Sequence, residues 1–514
     1  MRLRSLAGVA AAAVAGGCMM GPDFHSPAPP ADKLYLSDDQ PAVLVAAGIS
    51  GGEALRIVQG LDIPGQWWTV FHSPPLNDLI ERSLAANPDI HSAVAALRVA
   101  QFTARAQRAT LFPTVQAGVT AQSLQVSNVL SPPTVDPNVF LYSLFTLGVT
   151  VSYTLDLWGA NRRATESLEA QAEAQCFQLE AAYLSLSSNV VAAAIQDASL
   201  RAQIDATRLI IAAQRDTLDI LHRQEGLGAV TGADVAQQEA ALAQAETALP
   251  PLEKALAQNR NLLATLTGRL PSARVGAEFQ LNDLNLPSDL PLSLPSQLVE
   301  QRPDIRAAEA QLHSASAQLG VAIANQFPQV TLTAGLTPTS IVLDQLFLPG
   351  QANSNAGISV LQTLVDGGAL QAKRRAAQAQ LEQAEAQYRS TILTAFRNVA
   401  DTLRALQYDA VALQAAVAAE RASQNSLNIA QRRLDLGDTT YVVVLAAQTT
   451  YRQALLNRVQ AQTNRLTNTA ALFQALGGGW WNRADLPAPP ARRITCRPPK
   501  GGPPSASVVA ASTR

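Results

Sequence analysis

Aromatic side chains are scarce in this sequence, at 5% of 514 residues, although 47% of the residues are hydrophobic. Much of the apolar content is alanine, which favours helix and permits close approach without filling a bulky core. Charge of one sign is not in excess either: the net charge is −2, so no basic surface points to nucleic acid. Cysteine is rare, and Cys18, Cys176 and Cys496 are too scattered for metal spacing or a disulfide framework. His25, His72, His91, His222 and His313 are equally dispersed, and no Ser/His/Asp, Cys/His or phosphate-loop arrangement occurs. Catalysis requires convergent groups, so neither an enzyme nor a bound cofactor or metal is expected. Long hydrophobic runs are also missing. Past the first twenty residues no stretch supplies the ~20 apolar residues that a membrane helix needs. If the chain crosses a membrane it must do so as a closed β-barrel, the other fold that satisfies every backbone group in lipid.

What is present begins with an address. Arg2 and Arg4 form a basic start, Leu6 to Val14 a short apolar stretch, and Ala15-Gly16-Gly17-Cys18 follows. This reads as a secretory signal over residues 1–17 rather than a spanning helix. Small residues before a cysteine fit a lipoprotein signal peptidase, so Cys18 is expected to carry covalent lipid, a diacylglycerol and a palmitate. Met19 follows where Asp would signal inner-membrane retention, which favours transport to the outer membrane.

The rest of the chain repeats itself. Pro88-Asp89-Ile90 returns as Pro303-Asp304-Ile305, and Phe112-Pro113 as Phe327-Pro328, both at an offset of 215. Asp156-Leu157-Trp158-Gly159 is echoed by Asp366-Gly367-Gly368. Leu227-Gly228 with Thr231 recurs as Leu436-Gly437 with Thr440, and Gly268 matches Gly477, both at an offset of 209. Five landmarks in one order define two copies of a unit.

Each copy opens with a helix, over 88–112 and 303–327, ended by a proline. Two strand-like segments follow. In the first copy Phe145, Leu147, Val149, Val151, Tyr153 and Leu155 alternate with Thr146, Gly148, Thr150, Ser152, Thr154 and Asp156. In the second, Val330, Leu332, Ala334 and Leu336 alternate with Thr331, Thr333, Gly335 and Thr337. Segments 114–127 and 354–362 show the pattern less cleanly. Period two with one apolar face marks strands, and a small, almost uncharged polar face suits a water-filled lumen. Between the paired strands, Leu130–Val139 and Asp344–Asn353 carry turn residues and are expected to be extracellular loops. Long helices come next. No Gly or Pro interrupts the 66 residues between Gly159 and Gly226, or the 68 between Gly368 and Gly437. At 1.5 Å per residue each could run roughly 100 Å, and their mixed composition suits coiled coils. Further helical stretches follow at 232–268 and 441–477. Pro250-Pro251 should kink the first of these, with no counterpart in the second.

Trp67-Trp68-x-x-Phe71, Leu76-x-x-Leu79-Ile80 and Asn87-Pro88-Asp89-Ile90 resemble the entry motif of the TolC-like outer membrane efflux family. Gly21-Pro22-Asp23-Phe24 after Cys18, with Leu249-Pro250-Pro251-Leu252, resembles its NodT-type lipoprotein branch. The resemblance covers nearly all of 18–480. It implies an α+β membrane protein: a homotrimer in which each chain gives four strands to one twelve-stranded barrel. The helices would form a long periplasmic coiled-coil tunnel built from two internal repeats. On this reading residues 18–87 form a lipid-anchored and equatorial segment, 88–270 repeat 1, 271–302 an equatorial linker, 303–480 repeat 2, and 481–514 a flexible tail in which Cys496 has no structural role. The implied function is a passive exit duct in the outer membrane, extending into the periplasm and conducting small molecules such as drugs. An inner-membrane pump of the RND type would supply them through a periplasmic adaptor. The exit duct of a type I protein secretion system is the alternative. Neither reading names the exported compounds.

The same resemblance marks the turns after the long helices as the periplasmic tips. Arg433-Leu434-x-x-Gly437 is similar to the Arg-Leu-x-x-Gly motif that the family offers to the adaptor, and Arg223…Leu227-Gly228 is a looser version. Thr231 and Thr440 complete the expected contact set. A glycine cap with a preceding cation at a helix C-terminus would read the same way. The family's gate aspartates fall on Val443 and Ala446 here, which leaves Asp234, Asp435 and Asp438 as the acids of the gate region.

Overall fold

The computed structural model describes residues 19–31, 34–36, 43–126, 140–273 and 276–483. Cys18, Cys496, the signal segment, the loop expected at Leu130–Val139 and the tail after Arg483 lie outside the described residues. The chain begins with two short strands, β1 (Val43–Leu44) and β2 (Leu55–Gln59), then a short helical turn at Trp67–Phe71. Helices α1 (Pro74–Ala86) and α2 (Pro88–Ala109) lead into the long strands β3 (Thr114–Val126) and β4 (Phe140–Leu155). Helix α3 (Ala160–Gly226) follows, then α4 (Gly232–Glu246) and α5 (Leu249–Leu266). The second copy runs through β5 (Asp289–Leu292), α6 (Pro295–Gln301), α7 (Pro303–Ala324), β6 (Gln329–Ser340), β7 (Ala352–Leu361), α8 (Ala369–Asp435) and α9 (Tyr441–Ala475). Among the described residues no helix is long and apolar enough to cross a membrane.

The repeat is carried into three dimensions element by element. α2 and α7 each have 22 residues. α3 and α8 each have 67. Both shorter helices stop three residues before the expected proline boundary. Their final turns tighten instead, with Phe112 N donating to Ala109 O at 3.1 Å and Phe327 N to Ala324 O at 3.1 Å. The proline pair does interrupt its hairpin: α4 ends at Glu246 and α5 restarts at Leu249, whereas α9 runs unbroken for 35 residues.

Contacts divide the chain into two compact units. One holds residues up to Pro27, Ala96–Gln175 and Ala308–Tyr388, and the other the remainder. The second unit contains the largest core. Trp67, Phe71, Leu76, Leu79 and Ile80 pack there with Ile195, Leu290, Leu298, Leu466 and Phe473. A small three-stranded sheet, ordered β1-β2-β5, sits in this unit, with β2 and β5 parallel. It joins the two segments that the sequence assigns to the equator. The matched glycines Gly268 and Gly477 have φ of 69° and 95°. A Cβ at either would strike the carbonyl of Ala86 or of Gln301. Asn87 Nδ2 donates to Leu266 O at 3.0 Å, and Arg302 Nη1 to Ala475 O at 2.9 Å, so each repeat latches the end of its hairpin onto the start of its opening helix, α2 or α7.

Candidate functional site

The first unit contains a four-stranded antiparallel sheet in the order β3-β4-β6-β7. Directly opposed residues share a face, so the register sorts the side chains. One row runs Val115–Val151–Ala334–Ala356, the next Ala117–Val149–Leu336–Ser354, and others Tyr153–Leu332–Ile358 and Leu155–Val330–Val360. The opposite face carries Gln116–Thr150–Gly335–Asn355, Thr114–Ser152–Thr333–Gly357 and Thr154–Thr331–Ser359. No ionisable side chain other than Tyr153 occurs in any of these rows. Among the described residues, much of this apolar face is uncovered: Val115 is 67% exposed, Ile358 73% and Val360 63%. Among the described residues, the sheet's outer strands, β3 and β7, pair with nothing on the side away from β4 or β6 and leave a row of backbone donors and acceptors there. The second connection, between β6 and β7, contains a helical turn at Leu343–Gln345.

Where strand passes into long helix, both repeats use an aspartate as a cap. Asp156 accepts from Asn161 N at 3.1 Å and Arg162 N at 2.9 Å. Asp366 accepts from Gly368 N at 2.8 Å and Leu370 N at 2.7 Å, and these bonds hold its carboxyl below the usual aspartate range. Trp158 closes the first junction, stacking on Phe327 at 4.8 Å and donating Nε1–H to Pro328 O at 2.8 Å. Beside it, the Arg163 side chain is 1% exposed and grips the segment that follows Cys18. It reaches Met20 O at 3.2 Å, Asp23 at 2.5 Å and Glu166 at 2.7 Å. Glu166 in turn meets His313 at 2.9 Å, and Phe24 stacks on that imidazole at 4.4 Å.

The two turns after the long helices lie in the second unit. Gly228 and Gly437 have φ of 74° and 72°. Gly228 N donates to Glu225 O and Ala229 N to Gln224 O, while Gly437 N donates to Leu434 O and Asp438 N to Arg433 O. This paired pattern is the Schellman cap, which requires the left-handed conformation that glycine adopts without strain. Leu227 and Leu436 project from these turns, 84% and 81% exposed. Leu434 does not: it packs on Leu221, Val235 and Tyr441, the small core that joins the two hairpins. Tyr441 donates its hydroxyl to Gln238 Oε1, and Gln238 Nε2 donates to Gln214 O at 2.6 Å. Burial pushes the Tyr441 phenol up to about 12.

The remaining tip residues divide by their partners. Arg433 Nε pairs with Asp438 Oδ2 at 2.8 Å. Arg223 is exposed and donates to Asp219 O at 3.2 Å. Asp234 and Thr231 form a capping box on α4, which lowers the Asp234 pKa through the Thr231 hydroxyl and backbone N–H. Thr440 caps α9 without a side-chain bond. Asp435, Val443 and Ala446 are exposed. The sequence reading missed the Tyr441–Gln238–Gln214 chain, whose only trace there is an amide on the inward face of α4. It also missed Arg163. Cys176 departs from expectation too: it is buried and disulfide-bonded. Among the described residues, no group of three or more His, Cys, Asp or Glu side chains could hold a metal.

A partial sheet with a lipid-compatible face and a polar face, joined to capped helical hairpins, belongs to an outer-membrane channel protein. The family model for outer membrane efflux proteins matches residues 79–269 and 294–478, and the chain belongs to that family. Among curated relatives it is 32% identical over 490 residues to the pyoverdine export outer membrane protein OpmQ of Pseudomonas aeruginosa, covering 93% of this chain and 98% of the relative. It is 30% identical over 476 residues to the toluene efflux pump outer membrane protein TtgC of Pseudomonas putida, covering 91% and 94%. Among solved structures, the outer-membrane channel OprN superposes with a TM-score of 0.80 at 27% identity, over 90% of this chain and all of that one. The outer membrane protein VceC of Vibrio cholerae superposes with a TM-score of 0.75 at 27% identity, over 81% of this chain. The chain is thus an outer-membrane efflux protein that serves as the exit duct of a tripartite efflux system.

Proposed function

We propose that three copies of this chain close one twelve-stranded barrel in the outer membrane. Cys18 holds each copy by lipid, and the hairpin tips dock a periplasmic adaptor that links the duct to an inner-membrane RND-type pump. The observation that carries this reading is the β3-β4-β6-β7 sheet, with its two sorted faces and two open edges. Four strands are too few to close around a lumen, because barrel diameter grows with strand number. An open edge in lipid leaves unpaired amides costing several kcal/mol each. Pairing β3 of one copy with β7 of the next satisfies both edges and turns the apolar rows outward to lipid. The threonine, serine, glycine and amide rows then line the lumen and offer hydrogen bonds to water without selecting charge.

At the hairpin turns, Leu227 and Leu436 present exposed apolar knobs on glycine caps, flanked by Arg223 and Arg433. Leu434, half-buried, packs on the small core beneath these tips. The duct is passive, and selection of small-molecule cargo belongs to the pump. Of the acids near the gate, Asp234 serves its own helix cap and Asp438 pairs with Arg433, which leaves Asp435 as the tip carboxylate with the fewest local ties. The test is reconstitution of the purified full-length chain. A trimer mass in detergent and discrete conductance steps in planar bilayers are expected, and a monomer with no conductance would overturn the reading.

A further inference from the structure

The β3–β4 pairing keeps one register from Thr114↔Ser152 to Val126↔Phe140. Successive side chains on a strand point to opposite faces, and no bulge resets that alternation. Even and odd positions therefore keep their faces along the whole hairpin, but what stands on them changes. Near the helices the even positions of both strands are small or polar, as in Thr114–Ser152, Gln116–Thr150 and Thr120–Thr146. Past Thr146, towards the β3–β4 connection, they become Leu144 opposite Gln122 and Tyr142 opposite Leu124. The odd positions change the other way. Ala117–Val149 and Val119–Leu147 give way to Ser123–Ser143 and Gln125–Leu141. Burial follows the inversion. Leu124, Tyr142 and Leu144 are half-buried, while Ser123, Ser143 and Gln125 are exposed. Leu141 is the exception, an exposed apolar side chain on the odd face. The second hairpin turns apolar at the same level. β6 pairs with β4 as far as Ser340, opposite Phe145. The connection that starts there carries one acid, Asp344, and no cation between Ile341 and Gln351. Its Ile341, Leu343, Phe347 and Leu348 are exposed.

We infer that the end of the duct farthest from the helices is ringed by an apolar collar, formed by Leu124, Tyr142 and Leu144 of each copy, which is a barrier to hydrated ions and a passage for apolar or amphipathic solutes. The inference rests on the proposed three-copy barrel, in which the even face lines the lumen. Below the collar, hydroxyl and amide side chains hydrogen-bond the water that fills the lumen. Leucine side chains and a tyrosine ring face offer no such bonds, and an apolar constriction impedes ions by shedding water. A hydrated ion must give up water there without replacement. A small apolar or amphipathic molecule gives up little and gains contact with the ring. Outside the collar the serines of the odd face meet water.

The test uses the purified full-length chain in planar bilayers. A wild type that is monomeric and does not conduct would overturn the barrel reading and the collar with it. With wild-type trimers conducting, Leu144→Ser and Tyr142→Ser should each pass potassium chloride current severalfold larger than wild type. Ser143→Leu, on the odd face, should match wild type. The helical tips are the same in all these proteins, so the difference reads the collar. Unchanged conductance in Leu144→Ser trimers, or an equal rise in Ser143→Leu, would overturn the collar and leave the barrel standing. A second route covers serine variants that assemble poorly. A polyethylene glycol maleimide added from the side of the β3–β4 connection should block Leu144→Cys channels in steps, with wild type under the same reagent as baseline. The same label on Ser143→Cys should leave the current unchanged. No labelling at Leu144→Cys, or labelling without block, would overturn the inference.

Discussion

Arginine placed on either face of β4 separates a lipid-facing row from a lumen-facing one. Val149 stands between Ala117 and Leu336, and its successor Thr150 between Gln116 and Gly335. Both lie near the middle of a 16-residue strand, so depth in the membrane is matched and only the face differs. An arginine on the lipid face near the midplane costs about 2–4 kcal/mol. That is about 30- to 900-fold in the assembly equilibrium for each copy of the chain, at 1.36 kcal/mol per tenfold. In the proposed barrel of three copies the penalty would apply three times. At Thr150 the same side chain reaches water in the lumen and costs little. Val149→Arg should therefore nearly abolish the heat-sensitive trimer band in outer-membrane fractions on mild electrophoresis, while Thr150→Arg keeps most of it. Equal trimer yields, or a larger loss from Thr150→Arg, would refute the assignment of faces.

Three further perturbations address the tips, the caps and the anchor. Gly437→Val forces a β-branched residue into a left-handed conformation that already costs an ordinary residue about 1–2 kcal/mol, yet no atom lies near enough to clash. Trimer abundance should stay normal while efflux and adaptor cross-linking are lost, and Gly228→Val should be similar or milder; full drug resistance with normal cross-linking would leave the turn as a plain helix cap. Asp234 and Asp366 have lowered folded pKa values, so their support for α4 and α8 is complete above the ordinary aspartate value of about 4 and disappears as pH falls through the lowered value. Hydrogen exchange in those first helical turns should rise only in that acid window, and Asp234→Asn should remove the pH dependence at α4; protection unchanged down to pH 2 would contradict it. Cys18→Ser should abolish palmitate labelling without dissolving the trimer, and unchanged labelling would rule out that anchor.

Much of this architecture was legible in the sequence because it rests on local rules. The long helices announce themselves by the absence of Gly and Pro, and β4 and β6 by strict alternation. The matched glycines at 228 and 437 mark caps, as the positive φ values show. The three-stranded β1-β2-β5 sheet was not legible. Its strands have two to five residues, and β2 pairs with a segment far along the chain, so no local period exists to detect. The role of Leu434 was hidden for a related reason. The tip motif gives its place in the turn, but only the meeting of two hairpins shows that its side chain turns inward onto Tyr441.

The central claim is that β3 of one copy pairs with β7 of the next. Cysteines introduced at Gln116 on β3 and at successive positions from Ala352 to Leu361 on β7 test it directly under mild oxidation in intact outer membranes. The account predicts a ladder of covalent dimer and trimer, with no species above trimer, strongest at β7 positions on the polar face that Gln116 shares with Asn355 and Gly357. Monomer at every β7 position, or cross-linking that runs past trimer without limit, would contradict it.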